Sequence, residues 1–488
     1  MLSAYGSENV ISPNFQRLAE KCTTFDNFYA GSLPCMPARR ELHTGRYNFL
    51  HRSWGPFEGY DDSSVKMLSD HGIYTHLVTD HWHYWEEGGG VYWNQYDTYE
   101  FVRGQEGDHW KGIVDHETPP HIDGRTDFCG RQEYINREYM KEEQNQSIAV
   151  TFSKGLEFME KNKDSDNWFL QIESFDPHEP FFTQERYKEM YPNDYDGPQF
   201  DWPGYHPVRE SEDAIRECRR NYFALVTQCD FYLGKVLDFM DEHDMWKDTM
   251  LIVNTDHGFL LSEHGWWGKL LMPYWNEISH TPFFIHDPRR ESEGKRNSSL
   301  CQTIDIAPTL LDYFGVEKTE DMMGINLGKA LDGENDREYA LFGQFGLHVN
   351  ITDGRYVYMR APRKKYENVL SNYMLIPHSY PGAVDVDTLK TRKEGREFTF
   401  SKGIKVPSYE GGWYVKTLKG FPPKEVYENG DLLYDTLSDP GQNHPIHDEA
   451  VEKRMIEAMV KLMMENDTPE DMYQRLGLLD DGYYPPLK

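Results

Sequence analysis

The sequence holds several short segments whose residue types suit chemistry. In Ser32-Leu-Pro-Cys35-Met-Pro37-Ala-Arg39 a cysteine lies between two prolines, with an arginine four residues on. The prolines stiffen the turn. A helix starting behind it would add its N-terminal dipole to the Arg39 cation and make an anion site beside Cys35. On the thiol alone, a buried structural cysteine is the plainer reading. Asp256-His257 follows the apolar run Met250-Leu-Ile-Val253 and offers a carboxylate and an imidazole to a cation. These two alone do not dictate which cation, and a solvated strand end reads equally well. Lys269 follows two tryptophans and a glycine. It is either an exposed lysine or a point charge for an anionic oxygen. His178 lies in Asp176-Pro-His-Glu-Pro180, and His81 and His83 lie in Asp80-His-Trp-His83. Histidine titrates near neutrality and suits proton transfer, although core or surface roles fit these positions too.

These residues need a scaffold. Three apolar runs, Thr75–Thr79, Trp168–Ile172 and Met250–Val253, each end in one of the polar clusters. α/β sheets place sites in this way, at the carboxyl ends of strands. Between them lie helical patterns. Ser12-Pro13 reads as an N-cap with Pro at N1 ahead of Phe15, Leu18 and Cys22. Residues 211–241, 306–314 and 450–465 carry further helical patterns. From about 355 the composition shifts toward Lys, Tyr and Gly with short β-like pieces. The expected architecture is α/β, with a large unit over 1–345 and a smaller α+β unit over 346–488.

The composition narrows the function. The 488 residues include 51 Lys+Arg and 82 Asp+Glu, a net charge of −31. Such a chain repels a phosphate backbone, so nucleic acid is not an expected partner. Hydrophobic residues make up 38%, enough for a large core. No run approaches the roughly 18 apolar residues of a membrane span. No basic and apolar leader is visible at Met1-Leu-Ser-Ala, so the expectation is a cytoplasmic protein with its six cysteines reduced.

The segment Cys35-Met-Pro-Ala-Arg39, with Thr44-Gly45 after it, resembles the type I sulfatase signature Cys-x-Pro-x-Arg. The likeness runs from about residue 4 to 445. Phe25–Ala30 looks like the family's approach strand. Thr255–Gly258 and Gly268-Lys269 look like its metal pair and sulfate lysine. Asp305–Leu311, Gly324 and Leu433–Asp435 look like its later blocks. The resemblance implies an alkaline phosphatase-like central mixed sheet. It also implies that a maturation enzyme oxidises Cys35 to formylglycine (3-oxoalanine), whose hydrate is the nucleophile, steadied by Arg39. It implies one divalent cation, Ca²⁺, on Asp256, His257 and position 35. Lys269 and His178 would hold the sulfate, and His83 would assist the leaving group.

Two departures stand out. The family usually has Lys-Trp-His where this chain has His81-Trp-His83, so His81 would have to carry a proton to replace the lysine's charge. Family members also open on a buried strand ending in metal-binding aspartates, whereas the first aspartate here is Asp26. That strand and its carboxylates are expected to be missing. The aromatic and polar stretches His83–Tyr92 and Glu100–Lys111 suit a sugar, with Arg103, Gln105 and Glu106 as substrate contacts; a plain surface loop fits as well. The expected substrate is a sulfated small molecule or glycan. A phosphatase or phosphonate monoester hydrolase on the same scaffold is the nearest alternative, and an inactive sugar-binding fragment a further one.

Overall fold

A computed structural model describes residues 1–86, 88–117, 128–270, 272–335, 337–379, 382–411 and 424–483. The strands that matter here are β1 (Thr23–Tyr29), β2 (Ser32–Leu33), β3 (Tyr74–Thr79), β4 (Thr98–Phe101), β5 (Trp168–Glu173) and β6 (Leu251–Asn254). They continue with β7 (Leu260–Leu261), β8 (Trp267–Gly268), β9 (Phe283–His286), β10 (Arg296–Gln302), β11 (Ala340–Gln344), β12 (Val349–Thr352), β13 (Tyr356–Arg360) and β14 (Leu432–Asp435).

One sheet has the order β10-β1-β9-β6 and mixes parallel and antiparallel pairs. A second, β4-β3-β5, is parallel throughout. A third runs β14-β13-β12-β11-β2, so Ser32–Leu33, just before Cys35, pairs with a strand more than 300 residues on. The three runs expected as strands are β3, β5 and β6. The expected helices form at Pro13–Lys21, Glu212–Glu242, Ile306–Tyr313 and Glu449–Glu465.

The first two sheets share their apolar layers. Trp168, Leu170 and Ile172 of β5 and Leu251 of β6 pack on Met159, Val236, Met240 and Met245. Phe169 and Ile252, on the opposite face of the alternation, join a second cluster around Phe283 and Ile285. Among the described residues no strand pairs with the outer edge of β5 or of β6. β5 is half-buried along its whole length and β6 along most of it, whereas β9 is buried throughout. At their carboxyl ends the two are joined by Arg39, which donates from Nε to Glu173 at 2.5 Å and from Nη1 to Asp256 at 2.7 Å.

No helix among the described residues is long and apolar enough to cross a membrane. Five cysteines are free thiols; the side chain of Cys129 lies outside the described residues.

Candidate active site

The helix Cys35–Thr44 begins on the cysteine itself, which places residue 35 where backbone N–H groups point outward. The approach to it is held by buried polar contacts. Ser32 N donates to Glu41 Oε2 at 2.6 Å, and Asn48 Nδ2 donates to the Pro37 carbonyl at 2.8 Å. Gly45, at φ +60, closes the helix.

Cys35 is 2% exposed. Burial pushes its thiol up to about 12, against the pull of Lys269 and Arg39. As a thiol it is therefore protonated and a poor nucleophile at neutral pH. Its Sγ lies 3.3 Å from His257 Nε2. His257 Nδ1 is 2.9 Å from the Gly258 carbonyl, which can only accept. The Nδ1 proton is thereby fixed, and Nε2 presents a lone pair toward Cys35.

Donor atoms of Cys35, Asp256 and His257 lie within 4.8 Å of one another. A lone pair on Nε2, with the other ring nitrogen anchored on a carbonyl, is how metal-binding histidines are oriented. The set fits a divalent cation. It offers one carboxylate, whereas calcium takes six to eight oxygens. Burial raises the Asp256 carboxyl, but His257 and Arg39 outweigh it and hold the group below the ordinary range, ionised at neutral pH.

Lys269 follows β8, the second strand of the β7–β8 hairpin, and is 3% exposed. Its Nζ donates to His178 Nε2 and to Glu179 Oε2, the latter at 3.3 Å. Burial opposes its charge, but the surrounding groups, Glu179, Glu106 and Asp256 among them, hold its pKa above the ordinary value. His178 Nδ1 donates to the Glu179 carbonyl at 2.5 Å. Burial pushes His178 down to about 3, so the ring is neutral and its Nε2 is an acceptor. Donor atoms of Cys35, His83 and His178 form another group within 4.8 Å. His83 Nδ1 is 3.0 Å from Glu86 Oε1, and its Nε2 is 3.4 Å from Glu106 Oε2.

His81 is 1% exposed, among the rings of Phe175, Tyr84 and His83 at 5.0–5.1 Å. Among the described residues neither ring nitrogen has a hydrogen-bond partner. Burial, then Arg39, holds its pKa well below the ordinary value. The charge expected of it is absent at neutral pH, and what it offers an anion is one N–H. Because the folded pKa is depressed, the imidazolium is already lost below pH 6.5, so no alkaline limb of activity near neutrality belongs to His81. His81→Gln, which keeps an N–H donor, is expected to stay within about tenfold of wild type, with His81→Leu lower. A pH–rate profile of each variant is the check. A limb between pH 7 and 9 that moves upward in His81→Lys would contradict it.

The three expected sugar contacts separate. Arg103 is bound by Asp108 at 2.6 and 2.5 Å and lies 4.4 Å over the Trp85 ring. Gln105 Nε2 bridges the buried carboxyl of Asp80 at 3.2 Å and the half-buried one of Asp176 at 3.1 Å. Glu106 alone reaches the centre: it accepts from Trp82 Nε1 at 2.8 Å and groups with His178 and Glu179. Its backbone sits at φ +46, in the left-handed region. Glu87, in the His83–Tyr92 stretch, lies outside the described residues.

Sequence reasoning missed Glu173, Glu179 and Tyr205. Glu173 is the last residue of β5, and a carboxylate at a strand end beside a nominated cluster was the available signal. Glu179 stands between His178 and Pro180. Tyr205 carries no local signal; only the fold brings it to Glu179.

Strands β3, β5 and β6 thus deliver histidines and carboxylates, and the helix Cys35–Thr44 an arginine, to one place around residue 35. The fold is of the alkaline phosphatase-like α/β class. A family model described as "Sulfatase" matches residues 1–316, and the chain belongs to the sulfatase family. It is 25% identical over 390 residues to an N-acetylglucosamine-6-O-sulfatase of Bacteroides thetaiotaomicron, covering 68% of each chain. It is 22% identical over 472 residues to an arylsulfatase of Clostridium perfringens, covering 86% of this chain and 96% of that one. A solved structure described as a complex with its substrate D-glucosamine-2-N,6-O-disulfate superposes with a TM-score of 0.64 at 16% identity, covering 96% of both chains. The protein is a sulfuric ester hydrolase.

Proposed function

We propose that the enzyme hydrolyses a sulfate ester of a carbohydrate, with residue 35 as the nucleophile position after conversion of Cys35 to formylglycine by a separate maturation enzyme. The observation that carries this is the buried, protonated Cys35 at a helix start, ringed by Arg39, His257, His83, His178 and Lys269. The hydrated aldehyde would supply an oxygen nucleophile that the thiol does not. A divalent cation on Asp256 and His257, calcium in this reading, would supply Lewis-acid stabilisation of charge at that oxygen.

This chain's own residues do the rest. Lys269 meets the sulfate oxygens with a full charge in a buried site, where it counts most. His81 adds a neutral N–H. His178 steers Lys269 while the pocket is empty, and a bound anion favours its second proton. Arg39 holds Glu173 and Asp256 in place beside residue 35. His83 lies between two carboxylates, but burial, then His178 and Lys269, holds its pKa well below the ordinary value, so it would assist the leaving oxygen through a neutral N–H. Trp82 and Glu106 stand beside it as the apolar face and polar rim a sugar needs. We read the chain as a catalytic unit to about residue 345 and a smaller unit beyond, whose sheet and the helix Glu449–Glu465 share one apolar cluster with Tyr47, Phe49 and Leu50.

The test is a pair of aryl esters differing only in sulfate or phosphate. A sulfate monoester carries one negative charge and a phosphate monoester up to two. Glu106, Glu179 and Asp256 crowd the pocket with negative charge, so matured enzyme is expected to favour the sulfate in kcat/KM by about 10²-fold or more. Preference for the phosphate would replace the reading with a phosphatase.

A further inference from the structure

We propose that Glu179 is the positioning residue of the anion pocket: its buried carboxylate, braced by Tyr205, aims the Lys269 ammonium at residue 35. The proposal rests on the reading that Lys269 receives the sulfate.

An ammonium has three N–H donors and a freely turning tip. Two of the three are engaged here, one by His178 Nε2 and one by Glu179 Oε2 at 3.3 Å. Among the described residues the third meets no hydrogen-bond partner and is left for a ligand, and His178, whose Nε2 the ammonium meets, offers a ring nitrogen within 4.8 Å of Cys35 Sγ. Glu179 controls both engaged partners. Its side chain accepts from Lys269, while its backbone carbonyl fixes the proton on His178 Nδ1 and so makes Nε2 the acceptor. Oε2 also lies 3.3 Å from His178 Nδ1.

The carboxylate is itself held. Its side chain is 1% exposed, and the Tyr205 hydroxyl donates to Oε1. The Tyr205 ring packs against Gly268, the residue before Lys269, so closely that a Cβ there would lie 2.3 Å from Cδ1. Gly268 sits at φ +104, where only glycine is at ease. Tyr205 thus braces the acceptor and the backbone of the donor together. Burial raises the Glu179 carboxyl, but His178 and Lys269 outweigh it, and the group stays ionised through the neutral range.

The experiment is a double-mutant cycle on aryl sulfate hydrolysis by the matured enzyme. Glu179→Gln keeps the shape and removes the charge that orients Lys269. It is expected to lower kcat/KM by about 10- to 100-fold, mainly in kcat, because a misaimed contact costs transition-state more than ground-state binding. In a Lys269→Met background the same substitution is expected to change kcat/KM by less than about twofold, since a residue acting through Lys269 has nothing left to aim. Tyr205→Phe, which keeps the charge, is expected to give a smaller loss that also vanishes in that background, and it carries the test if Glu179→Gln does not fold. Equal losses in both backgrounds would mean a merely structural role and overturn the proposal alone. Undiminished activity of Lys269→Met would remove the anion-pocket reading and this proposal with it.

Discussion

Cys35→Ala is expected to reduce sulfate-ester turnover by about 10⁴-fold or more while leaving the protein folded, since loss of a covalent nucleophile leaves only binding and electrostatics. The side chain packs with Met36, Trp54, Leu77 and Tyr84, and replacing a thiol by a methyl in that cluster costs on the order of 1 kcal/mol. Cys35→Ser separates two explanations. If the nucleophile were the side-chain heteroatom as encoded, serine would retain part of the activity. If residue 35 acts as formylglycine, serine is inactive in a host whose maturation enzyme takes only cysteine. Peptide mass spectrometry of wild-type protein from such a host should find an aldehyde at residue 35, with Cys22, Cys218, Cys229 and Cys301 still thiols. Wild-type rates in Cys35→Ala would end the mechanism.

Lys269→Met is expected to cost about 10²- to 10³-fold in kcat/KM, the range for removing one preorganised stabiliser of developing charge. It should also cost stability. Glu179 is buried, and stripping its cation leaves a carboxylate with, among the described residues, only the Tyr205 hydroxyl and His178 beside it. Breaking a buried pair from one side costs about 3–5 kcal/mol. The two losses separate cleanly. Adding Glu179→Gln to Lys269→Met removes the orphaned charge and should recover much of the melting temperature without recovering activity. A double variant no more stable than Lys269→Met would show that the pair is not coupled as its geometry indicates.

Much of this site is legible in the order of residues. Asp256-His257, His81-Trp-His83 and His178 each follow an apolar run short enough to be a buried strand, and all three runs are strands that end at the site. The Cys-x-Pro-x-Arg spacing puts Arg39 one helical turn from residue 35, where its Nη1 donates to the Cys35 carbonyl at 3.0 Å. What local patterns could not rank was polar groups on one loop. Arg103, Gln105 and Glu106 are equally plausible sugar contacts on paper. Asp108 lies close enough to take the arginine, and the carboxyls of Asp80 and Asp176 take the amide, leaving the glutamate to face the pocket.

The sequence suffices for the α/β class, the helix that starts on Cys35, the three site-bearing strands and the family to which they belong. These rest on periodicity, on turn chemistry and on spacings within one element, all of which act over a few residues. Charge state and partner choice rest instead on distance through space. His81 reads as a cation beside a strand, yet burial among Phe175, Tyr84 and His83 keeps it neutral, because a desolvated imidazolium near Arg39 is costly. Lys269 on its own reads equally as an exposed lysine or as a point charge for an anionic oxygen; the fold decides it, bringing Glu179 from 90 residues away to hold it charged. Tyr205 has no reading at all until it is packed between Glu179 and Gly268. Desolvation and Coulomb interaction depend on what surrounds a group on every side, and that is a property of the packed chain rather than of neighbours in sequence.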